Sequence, residues 1–304
     1  MSSVTTIPRG WQATDIPDQS GKTFLITGGT SGLGKATAME LARAGADVTI
    51  TARNAGKGAA TLAEIASDRV DFKILDLADL ESVRNFAKEF TKPIDVLILN
   101  AGIMATPFSL TKDKFEMQFG TNHLGHFALT GLLQKQIKHR VVAVSSQAHR
   151  ASRIGNFSIA DLRDKAKGVG AYSPWSAYAY SKLANLLFIH ELERRQMRHN
   201  WNIEAVAAHP GYADTNLIFG ATVQDRAGAF ANAIFAQSAA KGALPTLCAA
   251  TFPGLYGASY IGPDGFLEMR GFPKLTRAAA IAYDQRLAKD LWTISEELTG
   301  VTWG

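Results

Sequence analysis

Six short apolar runs, each followed by a stretch long enough for a helix, constrain the fold more than any other feature of this sequence. The runs cover residues 23–27, 47–52, 70–75, 94–99, 140–144 and 203–207. Strands that are apolar throughout are typical of parallel sheets buried on both faces, and parallel strands need crossover connections between them. The pattern therefore predicts an α/β fold with a doubly wound parallel sheet and helices on both faces.

The composition favours one large domain in a reducing compartment. No repeat or linker interrupts the 304 residues, so we predict an N-terminal arm over residues 1–20 and a single domain over residues 21–304. With 46% hydrophobic and 19% charged residues, the chain can bury a sizeable core. The single cysteine, Cys248, cannot form an intramolecular disulfide, which excludes disulfide scaffolds and indicates a cytoplasmic protein.

Charge and hydropathy argue against several other classes of protein. The net charge of +5 is spread along the chain without a basic block, so we expect no nucleic-acid partner. No stretch has the pattern of a signal peptide or a membrane span, and we expect neither. His123 and His126 have the spacing of a metal-ligand pair, but no third ligand follows at a recognisable spacing. We therefore expect a packed histidine pair and no metal.

A glycine-rich turn follows the first predicted strand and runs into a helical stretch. It reads TGGTSGLG over residues 27–34, and its candidate phosphate-binding residues are Gly28, Thr30, Ser31, Gly32, Leu33 and Gly34. Glycines there let backbone N–H groups and a helix N-terminus approach a pyrophosphate. Residues 29–35 also fit the phosphate loop of nucleotide triphosphatases, but Ala36 stands where that loop needs a metal-binding Ser or Thr. A dinucleotide site is favoured, and a nucleotidase or a purely structural turn remains an alternative.

The end of the second predicted strand indicates which dinucleotide would bind. Folds that take NAD place an acidic residue there for the ribose hydroxyls, whereas this chain has Arg53 and Asn54. A guanidinium group matches the 2′-phosphate of NADP. We predict NADP as the cofactor, with NADPH preferred over NADH. The alternative is that Arg53 is a solvated arginine at the end of a strand.

A tyrosine and a lysine four residues apart form the candidate catalytic pair. Tyr178 and Lys182 lie one helical turn apart and point the same way if this stretch is helical. An ammonium group beside a phenol favours the phenolate, so the pair can supply an acid/base usable near neutral pH. The pattern alone is weak, because it also occurs by chance on many helices.

Six motifs together resemble the short-chain dehydrogenase/reductase family, and they follow the family's order along the chain. The motifs are TGGTSGLG (27–34), LNAG (99–102), NHLGHF (122–127), VVAVSS (141–146), YAYSKLAN (178–185) and HPGYADT (209–215). NHLGHF and SKLAN are most similar to the branch of retinol dehydrogenases and protochlorophyllide reductases. The C-terminal GPDGFLEMRGFPKL is similar to uncharacterised actinobacterial members. The resemblance implies a Rossmann fold and covers nearly the whole chain from about residue 20.

The resemblance also implies a role for individual residues. Tyr178 would be the general acid/base, Lys182 would lower its pKa and bind the nicotinamide ribose, Ser146 would hydrogen-bond the substrate oxygen, and Asn122 would hold a water. The remaining cofactor contacts would come from Asp76, Leu77, Asn100, Ala101, Gly102, Pro210, Gly211 and Thr215. One departure is the 32 positions between Ser146 and Tyr178, more than most members have.

The expected reaction is the interconversion of a hydrophobic aldehyde or ketone and its alcohol. Large apolar residues occupy the segments that the fold would place beside the nicotinamide: Met104, Phe108, Leu217, Ile218, Phe219, Phe230, Ile234 and Phe235. We predict a substrate-binding flap over about residues 212–240 that closes over the site. The insertion over residues 147–177 could cover a dimerisation surface, so a monomer or a homodimer is expected. A protein that holds the dinucleotide without turnover is the alternative.

Overall fold

The sheet at the centre of the molecule has the predicted doubly wound architecture. The computed structural model describes residues 6–152, 159–212 and 238–304. Its strands are β1 (Thr23–Ile26), β2 (Asp47–Ala52), β3 (Val70–Ile74), β4 (Ile94–Leu99), β5 (Ile137–Val144), β6 (Glu204–Ala208), β7 (Tyr260–Pro263) and β8 (Pro273–Leu275). They form one sheet in the order β3-β2-β1-β4-β5-β6-β7-β8. Strands β1 to β7 pair in parallel and β8 pairs antiparallel to β7, which confirms the predicted fold class.

Helices cover both faces of this sheet. They are α1 (Gly32–Arg43), α2 (Ala55–Ile65), α3 (Leu80–Glu89), α4 (Met117–Phe119), α5 (Gly125–Leu132), α6 (Ile159–Lys167), α7 (Pro174–His199), α8 (Ala239–Thr251) and α9 (Gln285–Thr299). Helices α1 and α8 pack together on one face, and α7 packs against α9 on the other. Within the described part of the chain, no helix is both long and apolar enough to cross a membrane.

The apolar strands are explained by burial on both sides. In β4, Leu97 and Leu99 belong to the hydrophobic cluster that contains α7 and α9, whereas Val96 and Ile98 belong to the cluster that contains α1 and α8. Because side chains alternate across a strand, a strand between two helical layers needs an apolar residue at every position. The segment before β1 joins the second cluster through Trp11, which is buried there.

The carboxyl ends of β1 and β4 define where a ligand can bind. These strands are neighbours, yet the chain continues from β1 toward β2 on one side and from β4 toward β5 on the other. Such a switch in strand order opens a crevice at the carboxyl edge of a doubly wound sheet. The segments that follow β1, β4, β5 and β6 carry most of the predicted site residues.

Two strands and one helix boundary differ from the sequence pattern. β7 and β8 are short and contain Gly262, Pro263 and Pro273, so the pattern of long apolar runs did not indicate them. The apolar spacing of Leu287, Leu291 and Ile294 indicates a helical region over residues 275–298, but α9 begins only at Gln285. The Asp284 side chain begins this helix by accepting a hydrogen bond from the Leu287 N–H, and Gly300 ends it at a φ of 63°.

Candidate active site

The glycines of the turn after β1 let its backbone pack closely against itself and against the segment after β4. Gly28 has a φ of 68°, and a Cβ built there would lie 2.8 Å from the Ala101 Cα. A Cβ on Gly34 would lie 2.4 Å from the Gly28 carbonyl oxygen. Ser31 precedes α1 and makes no side-chain cap, so N–H groups of the first helical turn remain available to a phosphate. The turn therefore has the shape and the donors of a dinucleotide cradle.

A buried hydroxyl fixes this cradle to the end of β4. The Thr27 Oγ1 accepts hydrogen bonds from the N–H groups of Asn100 and Ala101 at 2.9 and 3.0 Å. The Asn100 amide in turn donates to the carbonyl oxygens of Thr27 and Gly28 at 2.9 and 3.1 Å. The predicted cofactor residues Asn100 and Ala101 therefore meet the glycine turn, and both stand at the mouth of the crevice.

Tyr178, Ser146 and Lys182 come together at the carboxyl end of β5. The Tyr178 phenol is buried and hydrogen-bonds to the Ser146 side chain. The Lys182 Nζ lies 5.7 Å from the centre of the Tyr178 ring and donates to the Val144 carbonyl oxygen at 3.0 Å. Helix α7 positions Tyr178 and Lys182 on one face, as their spacing predicts.

Burial changes the acidity of both members of the pair. It raises the pKa of Tyr178, and the hydrogen bond with Ser146 opposes this change. It lowers the pKa of Lys182 to about 8, because a buried ammonium group loses its hydration. At neutral pH the tyrosine is therefore protonated and the lysine is largely charged.

Asn122 lies in a turn of π-helix that interrupts the path from α4 to α5. The π-turn covers Gly120–Leu124, a geometry that frequently occurs at functional sites. The Asn122 Oδ1 accepts from the Ile103 N–H at 2.9 Å, and its Nδ2 donates to the Ser181 Oγ at 2.9 Å. A Cβ built on Gly102 would lie 3.2 Å from the Asn122 Oδ1 and 3.3 Å from the Lys182 Nζ. These predicted residues therefore adjoin one another.

The other predicted cofactor residues follow β2 and β3. Arg53 is exposed, and among the described residues it has no hydrogen bond or ion pair. Asn54 caps α2 by accepting from the Lys57 N–H at 2.9 Å. The Asp76 Oδ1 accepts from the Ala78 N–H at 3.0 Å, and Leu77 is buried. Arg53 is thus available for a ligand, whereas Asn54 already has a structural partner.

The predicted residues after β6 are described only in part. Pro210 and Gly211 follow β6 directly and are half-buried. Thr215 lies outside the described residues, as do residues 213–237 of the predicted flap with the apolar side chains expected there. Of the two described apolar residues of the expected pocket, Met104 is half-buried and Phe108 is half exposed beside Tyr172.

Comparison with known proteins identifies the family. The model of the short chain dehydrogenase family matches residues 22–158. Human polyprenol dehydrogenase is 35% identical over 94% of this chain and 87% of its own length. This chain belongs to the short-chain dehydrogenase family. Mouse retinol dehydrogenase 12 is 37% identical over 93% of this chain and 88% of its own length.

Solved structures of this family agree in fold. A crystal structure from Mycobacterium paratuberculosis, described as an uncharacterized protein, is 44% identical and has a TM-score of 0.83. The match covers 97% of this chain and 99% of that one. A short chain dehydrogenase from Burkholderia cenocepacia in complex with NADP is 25% identical, with a TM-score of 0.61 over 79% of this chain and 95% of that one. The family membership and these relatives support an alcohol or carbonyl oxidoreductase.

Two residues of this short-chain dehydrogenase were not predicted as parts of its site. The His126 Nε2 lies 2.8 Å from the Thr27 Oγ1, and its Nδ1 lies 3.0 Å from the Asn122 carbonyl oxygen. Burial lowers the pKa of His126 to about 4, so the ring is neutral and links the glycine turn to the π-turn. Ser181 continues the link, because its hydroxyl donates to the Tyr178 carbonyl oxygen at 2.8 Å. The NHLGHF motif was the only feature of the sequence that pointed to His126, and it does not show that the partner of this histidine is Thr27, 99 positions away.

Proposed function

We propose that this chain is an NADP(H)-dependent oxidoreductase that interconverts hydrophobic aldehydes or ketones and their alcohols, with Tyr178 as general acid/base. The observation that carries the proposal is the convergence of Ser146, Tyr178 and Lys182 beside Gly102, at the mouth of the crevice. Tyrosine, serine and a charged lysine in one buried site suit proton transfer to and from a carbonyl oxygen.

The residues present fit a nicotinamide dinucleotide. The turn at residues 28–34 would hold the pyrophosphate, since Gly28 and Gly34 let the backbone turn tightly against Ala101 and Asn100 and the amides of the first turn of α1 are available. Asn100, Ala101 and Gly102 would line the crevice, with Asp76 and Leu77 toward the adenine. When bound, the nicotinamide supplies or accepts the hydride.

The proton chemistry belongs to the side chains of this chain. In the reducing direction, Tyr178 gives its phenolic proton to the substrate oxygen while Ser146 donates a hydrogen bond to the same oxygen. The raised pKa of Tyr178 keeps that proton in place at neutral pH. The phenolate that remains is stabilised by the nearby Lys182 ammonium, and in the oxidising direction it accepts the alcohol proton.

Arg53 supports the preference for NADP. Its exposed guanidinium follows β2, where the ribose of the adenosine half would lie, and it has no ion-pair partner in the described chain that would compete for it. The related Burkholderia enzyme was solved with NADP. A planar guanidinium can bind a 2′-phosphate through two hydrogen bonds, which a ribose hydroxyl alone does not match.

The substrate class follows from the apolar approach and from the relatives. Met104 and Phe108 are apolar residues of the segment after β4, and the Phe108 ring packs edge-on against Tyr172. The curated relatives carry the names polyprenol dehydrogenase and retinol dehydrogenase, which denote long apolar alcohols. We propose that the substrate is a medium to bulky hydrophobic carbonyl compound or alcohol. We also propose that the enzyme is a monomer or a homodimer, which light scattering would distinguish.

The test is reduction of an aldehyde series of rising apolar size with NADPH, followed by the absorbance of the reduced nicotinamide. We expect kcat/KM to rise with apolar size. Tyr178→Phe should lower kcat by about 10² to 10⁴, the usual contribution of a placed acid/base, without loss of NADPH binding. Tyr180→Phe, a buried tyrosine on another face of α7, is the matched control and should keep the parent activity.

Two outcomes would contradict the proposal. Faster turnover of small charged keto acids than of apolar aldehydes would refute the substrate class. NADPH binding without turnover of any carbonyl compound in the series would favour a protein that holds the dinucleotide without chemistry.

A further inference from the structure

A carboxylate on the loop between β7 and β8 connects two segments of the candidate site. Glu268 has a φ of 56° and follows Leu267, whose φ is 49°, so two successive residues with side chains adopt the left-handed conformation. L-residues rarely adopt this conformation, and it persists where the surrounding contacts determine it. Here those contacts are made by the Glu268 side chain, which is 18% exposed.

Both carboxylate oxygens of Glu268 accept hydrogen bonds. Oε2 accepts from the Gln147 side-chain amide and lies 3.2 Å from the His209 Nε2, and Oε1 accepts from the Thr276 hydroxyl. The Arg150 guanidinium lies 3.9 Å from Oε2. Gln147 directly follows Ser146, and His209 directly precedes Pro210. The carboxylate therefore joins the segment after β5 to the segment after β6.

The His209 ring is held in place from several sides. It is fully buried, and its centre lies 5.1 Å from that of the Tyr260 ring. A Cβ on Gly262 would lie 2.0 Å from the His209 Nε2, so the neighbouring strand β7 leaves space for the ring by having a glycine there. The ring therefore has little freedom to turn, and its two nitrogens keep separate partners.

Those partners specify one tautomer of His209. The Gly211 N–H donates to Nδ1 at 3.3 Å, so Nδ1 must carry the lone pair. The Nε2 lies 3.2 Å from the Glu268 carboxylate, which can only accept, and 3.4 Å from the Gln147 Nε2, which can only donate. The shorter contact is with a charged acceptor, and it places the proton on Nε2. In the other tautomer, two N–H groups would face each other at Gly211 and two acceptors would face each other at Glu268.

We propose that Glu268 is a positioning residue that keeps His209 in the tautomer protonated at Nε2 and thereby fixes the Pro210–Gly211 turn against the bound cofactor. A carboxylate that accepts a hydrogen bond from one ring nitrogen of a histidine fixes the proton there and leaves the lone pair on the other nitrogen. Carboxylates orient metal-bound histidines in this way. Here the other nitrogen holds a backbone N–H. The effect on the cofactor rests on the proposed function, whereas the tautomer does not.

The charges around the ring agree with this assignment. Burial lowers the pKa of His209, although Glu268 opposes the change, so the ring is neutral at neutral pH. Arg150 and Lys274 also face the ring and disfavour its protonation. Burial would raise the pKa of Glu268, but the hydrogen bonds from His209, Thr276 and Gln147 outweigh it and hold that pKa at about 2. The carboxylate is thus ionised at neutral pH.

The first test measures the tautomer without cofactor or substrate. In protein labelled with ¹⁵N-histidine, the His209 signals are those lost in His209→Asn, out of the seven histidines of the chain. We expect ¹⁵N shifts of the Nε2–H tautomer in the parent protein and in Glu268→Gln, whose amide oxygen can still accept. Glu268→Ala should lose part of that population. An Nδ1–H or charged ring in the parent, or an unchanged population in Glu268→Ala, would overturn the proposal.

The second test asks which ring nitrogen matters for the cofactor and does not require Glu268→Ala to fold. The Oδ1 of His209→Asn can replace Nδ1 as acceptor for Gly211, whereas the amide of His209→Gln can replace Nε2 as donor to Glu268. We expect His209→Asn to bind NADPH within a few-fold of the parent and His209→Gln to bind it about 10-fold more weakly, the effect of one lost hydrogen bond. Equal affinities of the two variants would refute the role of Nδ1. If the parent itself binds no NADPH, the proposed function fails, and the NMR result still decides the tautomer.

Discussion

At the scale of single residues, contacts between distant parts of the chain hold the site together: the His126 Nε2 lies 2.8 Å from the Thr27 Oγ1, and the Gln147 amide donates to Glu268. Tyr178 and Lys182 could be predicted because four positions are one helical turn, a relation contained in the local sequence. Thr27, His126 and Glu268 could not, because their partners are far along the chain and only the fold brings them together. Arg53 lies between these cases: its place after β2 was predictable, but its lack of a hydrogen bond or ion pair with any described residue was not.

Arg53 carries the first prediction at this scale. Arg53→Ala should weaken NADPH binding by about 10- to 100-fold, because a charge-assisted hydrogen bond contributes about 1.5 to 3 kcal/mol. NADH has no 2′-phosphate, so its affinity should stay the same. Binding of both cofactors can be measured by titration calorimetry. Arg69→Ala is the control, since Arg69 is also exposed but pairs with Asp47 near the start of β2. Equal weakening of NADPH and NADH in Arg53→Ala would mean that Arg53 does not contact the phosphate.

At the scale of secondary structure, the buried centre of the sheet was predictable and its far edge was not. β1, β2 and β4 to β6 are largely apolar because helices cover both of their faces, and this leaves a clear pattern in the sequence, whereas β3 at the edge is exposed at Asp71, Lys73 and Ile74. β7 and β8 are only four and three residues long, and their glycine and prolines resemble a loop. The hydrogen bonds that connect Thr27, at the end of β1, through His126 to the π-turn could not be predicted from the local sequence, because they join elements that are far apart along the chain.

Thr27 allows a test of that link. Thr27→Val keeps the side-chain shape but leaves the Ala101 N–H and the His126 Nε2 without their partner, while the Asn100 N–H keeps only the Ile98 carbonyl oxygen. Because buried unsatisfied groups cost about 1 to 3 kcal/mol each, we expect the free energy of unfolding in urea to fall by at least about 1 kcal/mol. Thr27→Ser retains the hydroxyl and should lose much less. Equal stability of the valine variant and the parent would show that the hydroxyl is not the connection between these elements.

At the scale of the whole molecule, the buried histidines make the free energy of unfolding decrease as the pH falls. Burial lowers the pKa of His123 to about 3 and those of His126, His149 and His190 to about 4. In the unfolded chain these rings take up protons near pH 6.5. Between that pH and the folded pKa values the unfolded state binds more protons, so stability is present above about pH 6.5 and is lost as the pH falls.

His123 gives the clearest test of this dependence, because it is fully buried in the core, where its Nε2 lies 2.9 Å from the Ser295 Oγ. Each such histidine contributes up to about 1.4 kcal/mol per pH unit. When the pH falls from 7 to 5, the free energy of unfolding, measured in urea, should therefore decrease in the parent by about 2 kcal/mol more than in His123→Gln. His199→Gln, at an exposed position, should follow the parent curve. Parallel curves for His123→Gln and the parent would exclude this histidine as a source of acid sensitivity.

The two outer strands of the sheet also bear on how copies of this protein can meet. β3 carries Asp71 and Lys73 on one edge, and β8 carries Pro273 and Lys274 on the other. Charged side chains and proline make an edge strand a poor template for a strand from another molecule. Sheet extension, the route by which exposed edges cause aggregation, is thus disfavoured at both ends. We expect concentrated solutions of the folded protein to resist β-aggregation, and any association between copies to use helical faces.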